Sequence, residues 1–245
     1  MDSLMSQPTL GHIRQALKNL PQGIKGLDET YEQAMIRIER QDEGYRELAK
    51  QVLSWVTHAK RALSIAEVQH AVAVSAGMVE MDKDFLPEVE ILDSVCAGLV
   101  TVNKNSGIIQ LVHYTTREYF RRTSSFSNAE TDITVACVTY LSFDTFATGF
   151  CSTDEELEAR LQLNPLYDYA ARNWGHHARA ATTEVVQLIL GLLESEANVA
   201  GSSQAMMASV SYLGYSRRVA RQMAEVHLAV YFGLKETIIA LLENR

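Results

Sequence analysis

The chain has little of what marks an enzyme, a membrane protein or a disulfide-stapled scaffold. Cysteine occurs three times, as Cys96, Cys137 and Cys151, with no CxxC pair and with apolar neighbours around each. That pattern argues against a disulfide framework and for small buried thiols. No stretch approaches the roughly 18 consecutive apolar residues that span a bilayer, and the start, Met1-Asp2-Ser3-Leu4, has neither the basic nor the apolar region of a secretory leader. A cytoplasmic location and no membrane partner are the expectations. Positive charge is also short: 22 Lys and Arg stand against 30 Asp and Glu, a formal net charge of −8. Duplex DNA is held by basic faces that release its counterions, so this balance weighs against a nucleic-acid partner. The phosphate-cradling GxxxxGK[ST] loop is missing, as are GxGxxG, GxSxG and HExxH. The sequence therefore assigns no catalytic residue, no metal site and no cofactor. His176 and His177 are adjacent, so on a helix they diverge too far to share one metal ion.

What is present is an ordinary globular composition, with 245 residues, 47% hydrophobic and 21% charged, enough for one large or two small domains. The most informative stretch is 95–120. Residues 99–103 and 108–112 are apolar runs rich in Val and Ile, and Asn103-Lys104-Asn105-Ser106-Gly107 supplies turn residues between them, which predicts a β-hairpin. His113 closes the second strand, and Thr115, Thr116 and Glu118 open a helix that carries Tyr119 and Phe120 inward. His113 is thus expected at a strand-to-helix corner.

Helical patterning surrounds this hairpin. Residues 12–20 have helical periodicity, 21–26 break it, and 27–40 resume with Tyr31, Ala34, Met35 and Ile38 on one side. Leu48, Val52, Trp55, Val56 and Ala59 form a core stripe over 45–59. Ser64-Ile65-Ala66-Glu67 fits a capping box, predicting a helix over 65–74 that ends at Gly77, and 88–97 supplies another before the hairpin. Helices followed by a two-stranded wing predict a winged helix. Its third helix is acidic at Glu88, Glu90 and Asp93, and the wing offers Lys104 alone, which again argues against DNA. After a Ser-rich join over 121–131 the pattern is helical. Residues 133–142 are apolar, 152–155 suggest a second capping box, and Asn164-Pro165 a cap with Pro at the first helical position. Tyr167, Ala170, Ala171 and Trp174 form an aromatic stripe, 185–193 is an apolar helix, and 197–203 reads as a small-residue loop. Arg217, Arg218 and Arg221 read as a solvated basic face, with a contact for an acidic partner as the alternative.

Several motifs in order resemble one family: Leu20-Pro21, Leu27-Asp28-Glu29-Thr30-Tyr31-Glu32, Leu53-Ser54-Trp55, Leu63-Ser64-Ile65-Ala66-Glu67, Cys96-Ala97-Gly98-Leu99-Val100 and Leu111-Val112-His113-Tyr114-Thr115. Together they resemble the segment that follows the nucleotide-binding module of fungal NACHT-ankyrin proteins, signal-transduction ATPases of the NOD-like, STAND type. The final stretch, 225–244, resembles the two helices of an ankyrin repeat closed by Gly233, with Glu225 and Val226 where Thr and Pro are usual.

The fold this implies is mainly α: a helical tail of a nucleotide-binding module or linker over 1–43, a winged-helix domain with a small β-hairpin wing over 44–123, an α-helical domain over 129–222 and a partial first ankyrin repeat over 223–245. The resemblance also implies that His113, in its His-x-x-x-x-Glu-Tyr-Phe setting with Glu118, Tyr119 and Phe120, contacts bound ADP when a NACHT module is attached. The expected function is a non-catalytic regulatory and protein-interaction segment coupling that ATPase to ankyrin repeats, with the module in cis and ankyrin targets as protein partners. The alternative is a free-standing interaction or decoy protein that pairs with full-length relatives. In that case Ile238, Ile239, Leu241 and Leu242, if uncovered, would invite self-association.

Overall fold

The structure, a computed structural model, describes Thr9 and residues 24–103, 105–208 and 223–243. The predicted helix over 12–20, Lys104 and the arginines at 217, 218 and 221 lie outside the described residues. Helix α1 (Ile24–Glu39) buries Tyr31, Ala34 and Ile38 at the predicted three- and four-residue intervals. It begins inside the segment expected to break it, so Gly26 is helical. Helix α2 (Glu43–His58) follows after three residues and buries Val52, Trp55 and Val56.

The chain then enters a short strand, β1 (Leu63–Ser64), and turns into α3 (Ile65–Ala73) through the predicted capping box. The Glu67 amide donates to Ser64 Oγ at 3.2 Å, and the Ser64 amide donates to Glu67 Oε2 at 2.7 Å, so two otherwise unpaired helix-start donors are satisfied. A single 3-10 turn (Lys83–Phe85) precedes α4 (Val89–Val95). The hairpin comprises β2 (Val100–Asn103) and β3 (Ile108–Leu111), paired antiparallel with Val100 opposite Leu111 and Asn103 opposite Ile108. β1 adds to the other side of β3, giving the order β1-β3-β2. At two residues it was too short to leave a period-two signal in the sequence.

Helix α5 (Tyr114–Arg122) brings the chain back beside α1, and the rest is helical: α6 (Ala129–Leu141), α7 (Asp154–Leu163), α8 (Leu166–Ala178), α9 (Val186–Glu194), α10 (Glu196–Met207), α11 (Glu225–Phe232) and α12 (Lys235–Glu243). The observed architecture is thus mainly α with a small antiparallel sheet, a winged helix followed by a helical region. Helix α6 is its centre, buried on nearly every side, with α2 against it from the winged helix and α8 and α9 from beyond. Tyr140, Phe143, Phe146 and Tyr167 form an aromatic cluster at its end, with the Phe146 and Tyr167 rings stacked at 4.1 Å. Side chains of this size each contribute about 1.5–3 kcal/mol by leaving water.

Two expectations over this region are corrected. Residues 197–203 are not a loop but the body of α10. Their small side chains reflect close packing: a Cβ on Gly201 would lie 2.9 Å from Tyr167 Oη and 3.1 Å from the Gly149 carbonyl oxygen. Tertiary approach overrides the low helix propensity of Gly and Ser here. The second capping box uses Thr153 and Glu156, one residue later than expected, with the Glu156 amide donating to Thr153 Oγ1 at 3.2 Å. Pro165 does stand at the helical start, with φ −50° and ψ −41°. Cys96, Cys137 and Cys151 are all buried and unbridged. Burial pushes the Cys96 thiol up to about 12 and raises the other two as well, so these thiols are inert at neutral pH.

At the carboxyl-terminal side, α11 ends on Gly233, whose φ of +70° is the left-handed geometry that closes a helix without Cβ strain. Phe232 inserts against Trp174 and over Gly175 of α8. Of the four apolar residues whose exposure would invite self-association, Leu241 is buried and Ile238 half-buried; Ile239 and Leu242 are exposed, as are Val230 and Tyr231.

Candidate functional site

The predicted site residue, His113, lies where β3 gives way to α5, two residues beyond the end of the strand. It is the N-cap of α5. The Thr115 amide donates to its Nδ1 at 3.3 Å, and Thr115 Oγ1 lies 2.8 Å from the same nitrogen. Thr115 Oγ1 is in turn 2.6 Å from Tyr31 Oη of α1. One set of protons satisfies this chain: the Tyr31 hydroxyl donates to Thr115, Thr115 donates to Nδ1, and the imidazole proton sits on Nε2. His113 is exposed and its ring lies 4.5 Å from that of Tyr114, so this arrangement presents an N–H donor to the surroundings.

The same edge holds α1 to α5. Arg122 Nη2 donates to both carboxylate oxygens of Asp28 at 2.7 Å, and the Tyr31 and Tyr119 rings meet at 5.3 Å. Between these contacts runs an open cleft of about 560 Å³ lined by Leu27, Tyr31, Thr115, Glu118, Tyr119 and Arg121, among others. Its floor is aromatic and its rim carries both signs of charge. Glu118 lies on that rim and Tyr119 and Phe120 point inward, as expected.

A second cluster joins residues that no sequence motif links. Lys60, between α2 and β1, joins Glu130 of α6 with Tyr169 and His177 of α8 in a closed hydrogen-bonded ring. Lys60 Nζ donates to the two Glu130 oxygens at 3.0 and 3.2 Å, and its backbone N–H donates to Tyr169 Oη at 3.1 Å. The Tyr169 hydroxyl donates to His177 Nε2 at 2.8 Å, and His177 Nδ1–H donates to Glu130 Oε2 at 2.5 Å. Arg61 lies over the Tyr169 ring at 5.2 Å while pairing with Glu67 and Asp168.

His177 is fully buried, and burial lowers its pKa in spite of the Glu130 carboxylate beside it. Burial works to raise the Glu130 pKa, but the bonds from His177 and Lys60 outweigh it and hold the carboxylate low. The ring therefore rests as neutral imidazole, carboxylate and ammonium, with each donor matched to an acceptor. Tyrosine, histidine and glutamate in sequence can move protons in an active site, but here the histidine is sealed and no nucleophile is hydrogen-bonded to it. The arrangement is a brace between the winged helix and the helices after it. The sequence offered one faint signal, a histidine at the buried end of the α8 stripe, four residues on from Asn173 and eight from Tyr169.

His176, next to His177, is half-buried and turns instead toward Phe232 at 5.1 Å, so the two do diverge. Among the described residues no cluster of His, Cys, Asp and Glu could hold a metal ion, and no helix is long and apolar enough to cross a membrane. Glu88, Glu90 and Asp93 are exposed on and beside α4, the helix that enters the groove in DNA-binding winged helices.

Residues 36–135 match the family model described as GPI inositol-deacylase, winged helix domain. The match takes in α2 to α5 with the sheet, so a winged-helix segment is established there. No curated protein and no solved structure matches the chain.

Proposed function

We propose that the chain is a non-catalytic regulatory and protein-interaction segment in which the winged helix links an input at α1 to the helix pair α11–α12. The observation that carries this is the Lys60–Tyr169–His177–Glu130 ring, closed around the buried Tyr169 and His177, which fastens the winged helix to α6 and α8. From α8 the coupling runs through Trp174 and Gly175 to Phe232 of α11. In this reading the winged helix, α6, α8 and α11 move as one body, so a change in how α1 sits on α5 alters where that body lies relative to α1. The matched family model is that of a winged helix domain, and its name speaks of the protein in which such a domain occurs. We carry over the domain and not the deacylation.

The finer reading is that α1 is the tail of a NACHT module of STAND type and that α11–α12 opens an ankyrin array. In that setting the outward Nε2–H of His113 would reach the diphosphate of ADP, and the contacts of the segment would be with protein rather than nucleic acid. The acidic face of α4 supports the last point. The test joins this chain to a NACHT module loaded with ADP and follows nucleotide release. His113→Ala should speed release at least several-fold while costing the chain about 0.5–2 kcal/mol, the worth of a lost N-cap. Equal release rates would remove the sensor role. Saturable micromolar binding of ADP to this chain alone, by calorimetry, would contradict the division of labour as a whole.

A further inference from the structure

Helix α5 ends in an unusual way. The Ser125 amide donates to the Phe120 carbonyl at 3.2 Å and the Ser124 amide to the Arg121 carbonyl at 3.4 Å, the paired bonds of a Schellman cap. The residue at its left-handed position is normally glycine, because a Cβ there crowds the following carbonyl. This chain has Ser124, with φ of +50°. A side chain is thus held at a place where it costs stability, and the position is exposed.

The hydroxyls around it are engaged: Thr123 Oγ1 lies 2.9 Å from the Tyr119 carbonyl, to which it donates, and 2.5 Å from Ser125 Oγ. Ser124 Oγ has no hydrogen-bond partner among the described residues. Two guanidinium groups precede it at −3 and −2, in Arg121-Arg122-Thr123-Ser124. Arg121 is exposed, and Arg122 is the residue that grips Asp28 of α1.

We propose that Ser124 is a phosphorylation site for an arginine-directed serine/threonine kinase, and that its phosphate releases the α1–α5 clamp. Paired arginines ahead of a serine suit a kinase whose peptide groove is acidic, and a strained cap in the last turn is easily unwound into that groove. In the reaction Ser124 Oγ bonds to the γ-phosphorus of ATP and the bond from that phosphorus to the bridging oxygen breaks. ADP leaves with the electron pair, and the hydroxyl proton passes to the kinase base. The product carries a charge of about −1.5 to −2 two residues after Arg122. Phosphate accepts a guanidinium bidentately and more strongly than a carboxylate of single charge, so Arg122 transfers from Asp28 to its own cap. The site itself stands without the proposed role of α1; the meaning of the release rests on that role.

The test treats the folded chain with the catalytic domain of an arginine-directed kinase and magnesium ATP, then maps phosphate by mass spectrometry. One phosphate on Ser124 is expected, lost in Ser124→Ala and formed at least tenfold more slowly in Arg121→Gln, which leaves the Arg122–Asp28 pair in place. Phosphate placed instead on Ser125 or Ser127, or accepted by heat-unfolded chain alone, would overturn the site. Amide exchange across α1 should then rise about two- to fivefold on phosphorylation, the range of an exposed ion pair. It should not rise further on phosphorylating Asp28→Asn. Unchanged exchange in the phosphorylated wild-type chain would overturn the release while the mapping result still stood.

Discussion

The α1–α5 edge and the Lys60–His177 ring are both polar contacts between helices, yet they differ in nearly everything that sets their strength. At the edge, Arg122 and Asp28 meet in water, with side chains 58% and 24% exposed. In the ring, the Lys60–Glu130 pair is also partly open, at 33% and 25%, but His177 is fully enclosed and its two nitrogens have one partner each. Exposed pairs are worth little because water competes for both partners, whereas a buried group stripped of its partner bears its whole desolvation cost. The edge can therefore change state at little cost, and the ring cannot. A segment that receives a signal at one contact and holds its shape through another needs both kinds.

The sharpest way to break this comparison is at the ring. His177→Ala removes a buried side chain, leaves the Tyr169 hydroxyl without its acceptor and takes a donor from Glu130. A loss of about 3 kcal/mol is expected. It should appear as a lower urea midpoint with an unchanged slope. If the midpoint moves no more than for an edge variant, the brace is not one. Gly175→Ala comes next. Its Cβ would lie 2.0 Å from Phe232 Cγ, inside a buried contact between α8 and α11. Overpacking of this kind costs about 1–3 kcal/mol. Hydrogen exchange should show α11 and α12 loosened first, with α1 little affected.

The pH dependence sharpens the contrast further. Burial lowers the His177 pKa below its ordinary 6.5, and the same cause lowers His58, His70 and His176. A histidine with a lowered folded pKa binds its proton more readily when unfolded. Its contribution is fully present above pH 6.5 and declines as pH falls below that value. Protonated His177 also turns Nε2 into a donor, so the Tyr169 hydroxyl, already accepting from Lys60, loses the acceptor for its own proton. Stability followed by urea titration from pH 7.5 to 5 should fall, and His177→Gln should flatten that fall without abolishing it. An identical slope would mean that the other three histidines carry the effect.

How much of this could be read from the sequence depended on whether the signal was local. The capping box at Ser64 and Glu67, the hairpin around Gly107, the stripe of Tyr31, Ala34 and Ile38 and the helix stop at Gly233 are set by neighbours within a few residues, and all are observed. The ring joins residues 60, 130, 169 and 177, and apart from the helical spacing of Tyr169 and His177 no periodicity relates them. In helix α10, Gly201, Ser202 and Ser203 look like a turn in isolation and serve as close-packing positions in the fold. His113 lies at the strand-to-helix corner that its local sequence predicts. Its hydrogen bonds to Thr115, and through it to Tyr31 of α1, depend on a contact 84 residues apart in sequence.

The smallest expected effect is at the edge, and it is the one that separates a clamp from a brace. Asp28→Asn and Arg122→Ala should each change global stability by at most about 1 kcal/mol, because water replaces what is lost. Combined, they should cost little more than either alone, since the two side chains serve one contact. Local opening is another matter. Tyr31 still reaches Thr115 and Tyr119, so α1 should stay folded on α5 but exchange its amides faster, while the amides of α6 and α8 exchange as before. Equal acceleration in α6 would mean that the edge and the ring open as one unit. The winged helix would then have no separate place at which a signal could enter.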